Sequence, residues 1–359
     1  MKLINRRDFL RISAAASAAL IAAGCAPKPV PAPDNTSLPP TPAPNNTRVP
    51  LTSTPDDTGA PSTPTPANTR IPPTPASTTA SSTSPNQPTN GQAYISVVHG
   101  ADPAAITKAA IAALGGIERF VKAGMTVVIK PNICVDYHPP EYAVTTNPQV
   151  VAALVMLCLG AGAKRVRVFD QPFGGTSESA YSRSGIAEAV KAAGGEMEVM
   201  SPVKYAKTAF PNGKDLKSTQ VYKDALDADV FIDVPIAKHH SLARLTLGGK
   251  NLLGIIQDPN MMHANLGQRI ADLVSLVRPT LTVIDAYRIL MNHGPTGGSL
   301  NDVKETHTII ASHDIVTADS YATTLFNLTG NDIPYVKAAA AMGLGTLDFK
   351  SVKLEEINV

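Results

Sequence analysis

Side chains able to bind or transform a small molecule are concentrated between residues 238 and 263, where three of the chain's eight histidines lie. They are Lys238, His239, His240, Gly248, Gly249, Lys250, Asn251 and His263. The glycine pair leaves backbone open beside Lys250, which suits an amine that binds an anion or forms a covalent bond in a closed site. His240 and His263 are candidates for proton transfer or for metal ligation through imidazole.

A plainer interpretation of the same segment is a buried helix with surface lysines, because Leu252, Leu253, Ile255 and Ile256 follow at once. The clustering of polar residues favours a functional site. Adjacent side chains diverge in a regular element, so one of the two neighbouring histidines is expected to face it. We predict Lys250, His240 and His263 as catalytic groups, and Lys238, Gly248, Gly249 and Asn251 as ligand-binding groups.

Polar residues also follow several apolar runs that have the composition of strands. Lys130 and Asn132 follow one run, Asp170 ends a second, Lys238 follows a third and Asp285 ends a fourth. Taken singly, each is an ordinary solvated loop position, but in a parallel sheet such strand ends share one edge, where ligands bind. We therefore predict Lys130, Asn132 and Asp170 as ligand-binding residues and Asp285 as a catalytic residue. Gly174-Gly175 after Asp170 fits no phosphate-loop spacing and is predicted to be a turn.

Short β-branched runs alternate with alanine-rich helical patterns over the second part of the chain. Strands are predicted at residues 94–98, 126–130, 165–170, 197–200, 230–235, 280–285 and 308–312, and helices at 103–121, 148–161, 184–193, 267–277 and 317–326. Asn147 and Pro148 form a typical helix start, and Gly160 and Gly162 a typical stop. The alternation predicts an α/β fold with a mostly parallel sheet and helices on both faces, as one large domain or two tightly joined lobes.

The first 25 residues have the features of an export signal. Arg6-Arg7 precede a weakly apolar stretch at residues 12–23, which is far shorter than the roughly 20 residues that cross a bilayer. Paired arginines in this position are typical of twin-arginine signals, and the small residues before Cys25 resemble a lipoprotein cleavage box. We predict export through the twin-arginine machinery, lipid attachment at Cys25, and anchoring to the outer face of the cytoplasmic membrane or another extracytoplasmic location.

Residues 26–92 hold more than half of the chain's 31 prolines and almost no large apolar residue. Such a composition cannot bury a core and favours extended polyproline conformations. We predict a disordered tether here and a globular domain at residues 93–359.

Composition excludes several other functions. A formal net charge of +2 and an aromatic content of 5% give little basis for nucleic-acid binding. Apart from Cys25 the chain has only Cys134 and Cys158, so a disulfide framework or an iron-sulfur cluster held by this chain is not expected. Cys158 lies within an apolar helical pattern and is predicted to be a buried, inert thiol.

A set of short motifs resembles the bacterial and archaeal family catalogued as domain of unknown function 362, over most of residues 94–345. The motifs are Val128-Ile129-Lys130-Pro131-Asn132, Thr145-Thr146-Asn147-Pro148, Lys238 with His240, Lys250-Asn251-Leu252-Leu253-Gly254, Val283-Ile284-Asp285, Gly294-Pro295-Thr296-Gly297-Gly298, and Ser312-His313-Asp314 with Asp319. Some members of that family carry an added cysteine-rich part that binds iron-sulfur clusters. This chain lacks those cysteines, so that property is not transferred.

A second, more remote resemblance is to the pincer-lysine segment of the nickel-pincer lactate racemase family. It rests on His240, Thr246, Gly248-Gly249-Lys250, Gly254 and His263. In that family a lysine holds a nickel-bearing, nicotinate-derived nucleotide, and histidines ligate the metal or carry protons. The resemblance implies that Lys250 is the covalent hook, that His240 and His263 are proton carriers or metal ligands, and that Lys130 or Lys238 steadies an anionic substrate.

The family's Asp-x-Thr-Arg-Pro substrate motif has no clean equivalent in this chain. The nearest counterpart is Lys130-Pro131-Asn132 together with residues 145–148, and no matching histidine follows Asp170. Three functions stay open. The first is an exported enzyme for a small anion that uses a metal or a covalently held nucleotide, and the second is a tethered solute- or metal-binding lipoprotein without catalysis. The third is a purely structural or interaction module, in which the clustered histidines and lysines are incidental.

Overall fold

Strands and helices alternate through residues 92–359, which are the part of the chain that the computed structural model describes. The strands of this part are β1 Ile95–His99, β2 Thr126–Pro131, β3 Arg165–Val168, β4 Glu196–Met197, β5 Tyr205–Ala209, β6 Ser218–Tyr222, β7 Val230–Val234, β8 Ile236–His240, β9 Arg244–Thr246, β10 Leu281–Leu290, β11 Val303–Ser312 and β12 Leu354–Asn358. The α-helices are α1 Pro103–Ala113, α2 Pro148–Gly160, α3 Ser177–Arg183, α4 Ile186–Ala192, α5 Lys223–Leu226, α6 Gly248–Asn251, α7 Leu266–Val277, α8 Ile315–Thr323 and α9 Pro334–Ala341.

One large sheet runs through this region in the order β12-β1-β11-β10-β7-β2-β3-β4, and β8 adds to β10 and carries β9. The pairs from β10 through β7, β2 and β3 to β4 are all parallel. Antiparallel pairing in this sheet is confined to β11 with its two neighbours and to β9 with β8. The predicted mostly parallel sheet is therefore confirmed. A separate hairpin joins β5 to β6.

Helices cover both faces of the large sheet, as predicted. Helices α1 to α4 pack on one face, where Val127 and Ile129 of β2 belong to the same apolar cluster as Val151 and Leu154 of α2. Helices α7 to α9 pack on the other face, in the cluster that contains Val128. Because side chains alternate along a strand, the residue two places after Val128 faces the second layer. That residue is Lys130.

Predicted and observed elements agree best where the apolar pattern is long. Helix α2 begins at Pro148 with Asn147 as its N-cap, and Gly162 beyond its end has a φ of 87°. The predicted helix at 103–121 is too long, because Gly115 and Gly116 both take positive φ values that end α1 early. Strands β10 and β11 extend well beyond their predicted bounds, whereas β5, β6, β8, β9 and β12 were not predicted.

No helix among residues 92–359 is long and apolar enough to cross a membrane. The predicted export signal, Cys25 and nearly all of the predicted tether lie outside the described residues.

Candidate functional site

The ends of β2 and β3 bring two buried, oppositely charged side chains into contact. Lys130 is fully buried, and its Nζ lies 2.6 Å from Oδ1 of Asp170, the second residue after β3. The other oxygen of Asp170 accepts a hydrogen bond of 2.7 Å from the backbone of Ile133. Burial raises the pKa of Asp170, and the charge of Lys130 opposes that rise. The predicted meeting of these two strand ends is thus observed.

Asn251 of α6 connects this pair to a second buried carboxyl group. Its Oδ1 accepts from Nζ of Lys130 at 3.1 Å, and its Nδ2 donates to Oδ1 of Asp233 at 2.8 Å. Asp233 stands beside Lys130 in the β2–β7 register, and its Oδ2 has no hydrogen-bond partner among the described residues. Burial raises the pKa of Asp233 well above its usual value. Asn251 therefore holds the start of the motif from Lys250 to Gly254 against the sheet.

Gly254 lies too close to the Lys130–Asp170 pair to be any other residue. A Cβ atom at this position would lie 1.9 Å from Oδ1 of Asp170 and 2.8 Å from Nζ of Lys130. The motif from Lys250 to Gly254 is thus shaped by contact with the buried ion pair, which gives a packing reason for the glycine.

The glycine pair before Lys250 is fixed by a buried carboxylate on α8. Asp319 accepts a hydrogen bond of 2.7 Å from the amide of Gly248 and one of 2.9 Å from that of Gly249. These amides open α6, where a negative charge is favourable. Burial nevertheless raises the pKa of Asp319 to about 7, because desolvation outweighs the two hydrogen bonds.

Lys250 differs from the groups around it. Its neighbours Gly249 and Asn251 are both held by hydrogen bonds, yet its own side chain has no hydrogen-bond or ion-pair partner among the described residues. The side chain is only partly exposed. Burial, followed by the nearby charge of Lys238, lowers the pKa of Lys250 to about 8. The backbone is thus fixed on both sides while the amine is free to bind another group.

Lys238 is fully buried at the middle of β8. Its Nζ donates to the carbonyls of Val144 at 2.7 Å and Pro295 at 2.9 Å. Burial lowers its pKa. The thiol of Cys134 donates to the same carbonyl of Pro295 at 3.6 Å. The two carbonyls that accept hydrogen bonds from Lys238 are neutral, so no hydrogen-bonded anion compensates its positive charge. The surroundings of Lys250 are therefore electropositive.

His240 is the inward-facing member of the histidine pair: it is 7% exposed, and His239 is more exposed. Its Nδ1 accepts from the backbone amides of Leu242 at 3.1 Å and Ala243 at 3.3 Å. Nδ1 therefore carries a lone pair, and the single proton of the neutral ring is on Nε2. Burial, followed by the charge of Lys250, lowers the pKa of His240 to about 3. At neutral pH this side chain offers a hydrogen-bond donor.

A metal site at His240 and His263 gains no support from this geometry. A metal would need a lone pair on Nε2 of His240, the nitrogen that carries the proton. His263 lies in the short 3-10 segment Pro259–Asn265 and is exposed. Within residues 92–359, no group of three or more His, Cys, Asp and Glu side chains is arranged to hold a metal ion.

Asp285 does not join the lysine cluster. Its carboxylate accepts from the amides of Asn147 at 2.7 Å and Tyr287 at 3.0 Å. Val283, two residues earlier on β10, packs in the layer of α1 to α4, so Asp285 points to the face opposite Lys130. Burial raises its pKa to about 6. The geometry gives Asp285 a role in holding the start of α2.

A groove of about 410 Å³ opens beside His240. It is lined by His239, His240, Ser241, Arg244, Leu245, Met291, Asn292, Phe326 and Leu328. Neither Lys238 nor Lys250 lines this groove. His240 lines it and is also affected by the charge of Lys250, so this histidine links the groove to the lysine cluster. A second groove, of about 420 Å³, contains none of the predicted site residues and is lined by Ser320 of α8, by residues 324 and 328–331 after that helix, and by residues 347–350.

Three residues of the site were missed from the sequence: Cys134, Asp233 and Asp319. Asp233 lies inside a buried strand, and Asp319 inside a helix far along the chain, so neither shows the pattern of a loop residue after a strand. The only signal was that Asp319 belongs to the family motif. Asn132 was predicted correctly to lie at the end of β2, but its Oδ1 has no hydrogen-bond partner in the described region.

The fold and site together define an open α/β protein with a lysine-rich site at the strand ends. Residues 127–324, more than half of the chain, match the model of the family described as "Domain of unknown function (DUF362)". The chain belongs to this family.

A thylakoid-associated protein of Synechocystis sp. is 29% identical over 248 residues, which cover 64% of this chain and 72% of the relative. Among solved structures, the lactate racemase apoprotein of Thermoanaerobacterium thermosaccharolyticum matches with a TM-score of 0.42 and 12% identity, over 64% of this chain and 56% of the other. A protein of Thermotoga maritima matches with a TM-score of 0.40 and 14% identity, over 63% and 60%. This chain therefore spans less than two thirds of either solved protein.

Proposed function

We propose that this protein is exported, is tethered to a membrane, and binds a small anion at Lys250 as the first step of an enzymatic reaction. The observation that carries the anion site is the free amine of Lys250, held on a fixed backbone beside Lys238. Two lysines whose pKa values are lowered by burial would each be stabilised by an anion placed between them. The Nε2–H of His240 supplies a neutral donor to the same anion.

A covalently held nucleotide with a bound metal fits this site only in part. The free amine of Lys250 suits covalent attachment of a cofactor, which would supply the redox or hydride chemistry when bound. The protonated Nε2 of His240 does not suit a metal ligand. We therefore assign the chain's own residues the roles of binding and hydrogen bonding, and no role in metal ligation.

Binding without catalysis is the second candidate. The observation that favours it is the hydrogen bonding of His240, whose Nδ1 is occupied and whose Nε2 already carries a proton, so that this imidazole cannot accept a proton from a ligand.

Membrane association is in keeping with the name of the thylakoid-associated relative.

Calorimetric titration with pyruvate and with inorganic phosphate tests the anion site. Lys250→Met should weaken binding of the preferred anion about tenfold or more, because a charged hydrogen bond worth about 1.5–3 kcal/mol is lost. Lys223→Met is the matched control, since Lys223 is exposed and paired only with Asp227. Equal affinities in wild type and Lys250→Met, for anions that do bind, would remove the proposal. Turnover of the bound anion would separate the enzyme from the binding protein.

A further inference from the structure

We propose that Lys250 is a nucleophile that forms an imine with a small carboxylate bearing a carbonyl group, such as a 2-oxo acid. The inference rests on the proposed anion site and names both its substrate class and its chemistry. Three features of the structure lead to it: the fixed backbone of Lys250, the unpaired amine, and the electropositive surroundings.

Hydrogen bonds on both sides hold the backbone of Lys250, and simple attraction of an anion does not need such a fixed backbone. The amide of Gly249 is hydrogen-bonded to Asp319 on one side. On the other side, the side chain of Asn251 is hydrogen-bonded to Lys130 and Asp233. A lysine that only attracts an anion works at the end of a flexible stem. Attack on a carbonyl carbon needs a defined direction of approach, which a fixed backbone provides.

The three lysines of the region divide by their partners. Lys130 is paired with Asp170, and Lys238 donates to two carbonyls, so the lone pair of neither amine is available. Lys250 alone among these three has no partner in the described residues. A desolvated lysine next to another cation is the arrangement that activates lysine amines for imine formation.

Deprotonation is the remaining requirement, and the environment supplies it. With a pKa of about 8 instead of the ordinary 10.5, the fraction of free amine at pH 7 is larger by on the order of a hundredfold. Asp170 acts in the opposite direction, since its charge raises the pKa of Lys250, but burial and the lysines outweigh it.

The chemical step balances with the groups present. The lone pair of the Lys250 nitrogen forms a bond to the carbonyl carbon, and the electrons of the C=O π bond move to oxygen. That oxygen leaves as water with the two hydrogens of the amine, and a C=N bond forms. In the proposed step the Nε2–H of His240 donates to the carbonyl oxygen, and Lys238 supplies positive charge that favours the carboxylate.

Reductive trapping with sodium borohydride tests the inference on the full-length protein, with pyruvate as the probe. We expect a single stable adduct at Lys250 by peptide mass mapping, formed at least about tenfold faster than any adduct at the exposed Lys223. Trapping should increase with pH through about 8, where half of the Lys250 amine is neutral, and level off above about 9, where most of it is. Absence of an adduct at Lys250, or labelling no faster than that of Lys223, would overturn the inference.

Two comparisons separate this inference from the anion site itself. Pyruvamide has the shape and carbonyl of pyruvate but no charge, so trapping should fall sharply with it; equal trapping would support the imine and contradict the anion site. Lys250→Arg keeps the positive charge and should keep anion binding by calorimetry while losing the adduct. If Lys250→Arg and wild type bind pyruvate alike but wild type gives no adduct, the imine fails and the anion site stands.

Discussion

At the scale of single residues, the Lys130–Asp170 pair is best understood as a structural element beside the site. Both side chains are almost completely buried, and Gly254 packs directly against them. The pair thereby connects the strand ends to the motif that carries Lys250. A buried ion pair adds little net stability compared with a well-packed apolar pair, but losing one partner is costly.

Lys130→Met should accordingly destabilise the fold by about 3–5 kcal/mol, because it leaves the carboxyl of Asp170 buried without its cation. Urea unfolding at pH 7 measures this loss. Lys223→Met removes one partner of an exposed ion pair and should leave the unfolding midpoint unchanged. If the two variants unfold alike, the buried pair does not have this role.

His240 is expected to remain neutral with its proton on Nε2 from pH 5 to pH 8, since its pKa is lowered to about 3. Nitrogen NMR shifts of the imidazole report both the tautomer and the charge. A titration near the ordinary pKa of about 6.5 would contradict the hydrogen-bond assignment.

His240 accepts two backbone hydrogen bonds through Nδ1 and is proposed to donate to the anion through Nε2, and a substitution can separate these two roles. Asn at this position can still accept from the amides of Leu242 and Ala243 through Oδ1, but it lacks the distal donor. His240→Asn should therefore keep the thermal stability and weaken anion binding about tenfold. A loss of stability with unchanged affinity would show that His240 serves the turn alone.

At the scale of elements, α6 is too short to be stable by itself and depends on Asp319 of α8. One carboxylate receives both amides at the start of this single turn. Short helices have little intrinsic stability in water, so tertiary contacts must hold them. The orientation of Lys250 is thus decided by a residue about 70 positions away in the chain.

The raised pKa of Asp319 gives a pH dependence of known sign. The folded carboxyl has a pKa of about 7 and the unfolded one about 3.9, so between these values the native state binds more protons. Stability from this group is then fully present below about pH 4 and is lost as pH rises towards 7. Asp319→Asn cannot titrate, so wild type should lose stability relative to this variant over that range. Urea midpoints from pH 4 to pH 8 measure the difference, and parallel profiles would contradict it.

At the scale of the whole molecule, the chain combines a folded α/β region with an N-terminal region that the sequence predicts to be an export signal followed by a disordered tether. Cys25→Ala should move the exported protein from the membrane fraction to the soluble fraction, because one acyl chain or more would be missing. Arg6→Lys with Arg7→Lys should instead keep the protein in the cytoplasm. Fractionation followed by immunoblotting distinguishes the two. Retention of Cys25→Ala in the membrane would count against lipid attachment.

Local sequence was sufficient for the parts of the fold in which pattern and position coincide. The apolar runs of β2 and β7 are long enough to identify, and Pro148 after Asn147 marks the start of α2. The short strands β8 and β9 were missed because they are only five and three residues long and have mixed polarity. Their extended shape comes from pairing with β10 and with each other.

The motif between Lys238 and His263 was visible in the sequence alone, as were the polar residues after the strands, because residue type and spacing are local properties. Which lysine is free was decided by the tertiary structure. Asp170 neutralises Lys130 across 40 positions, carbonyls from two loops surround Lys238, and side-chain alternation turns Asp285 to the opposite face. The charge state and partner of a buried group depend on what packs against it, and those neighbours come from distant parts of the chain.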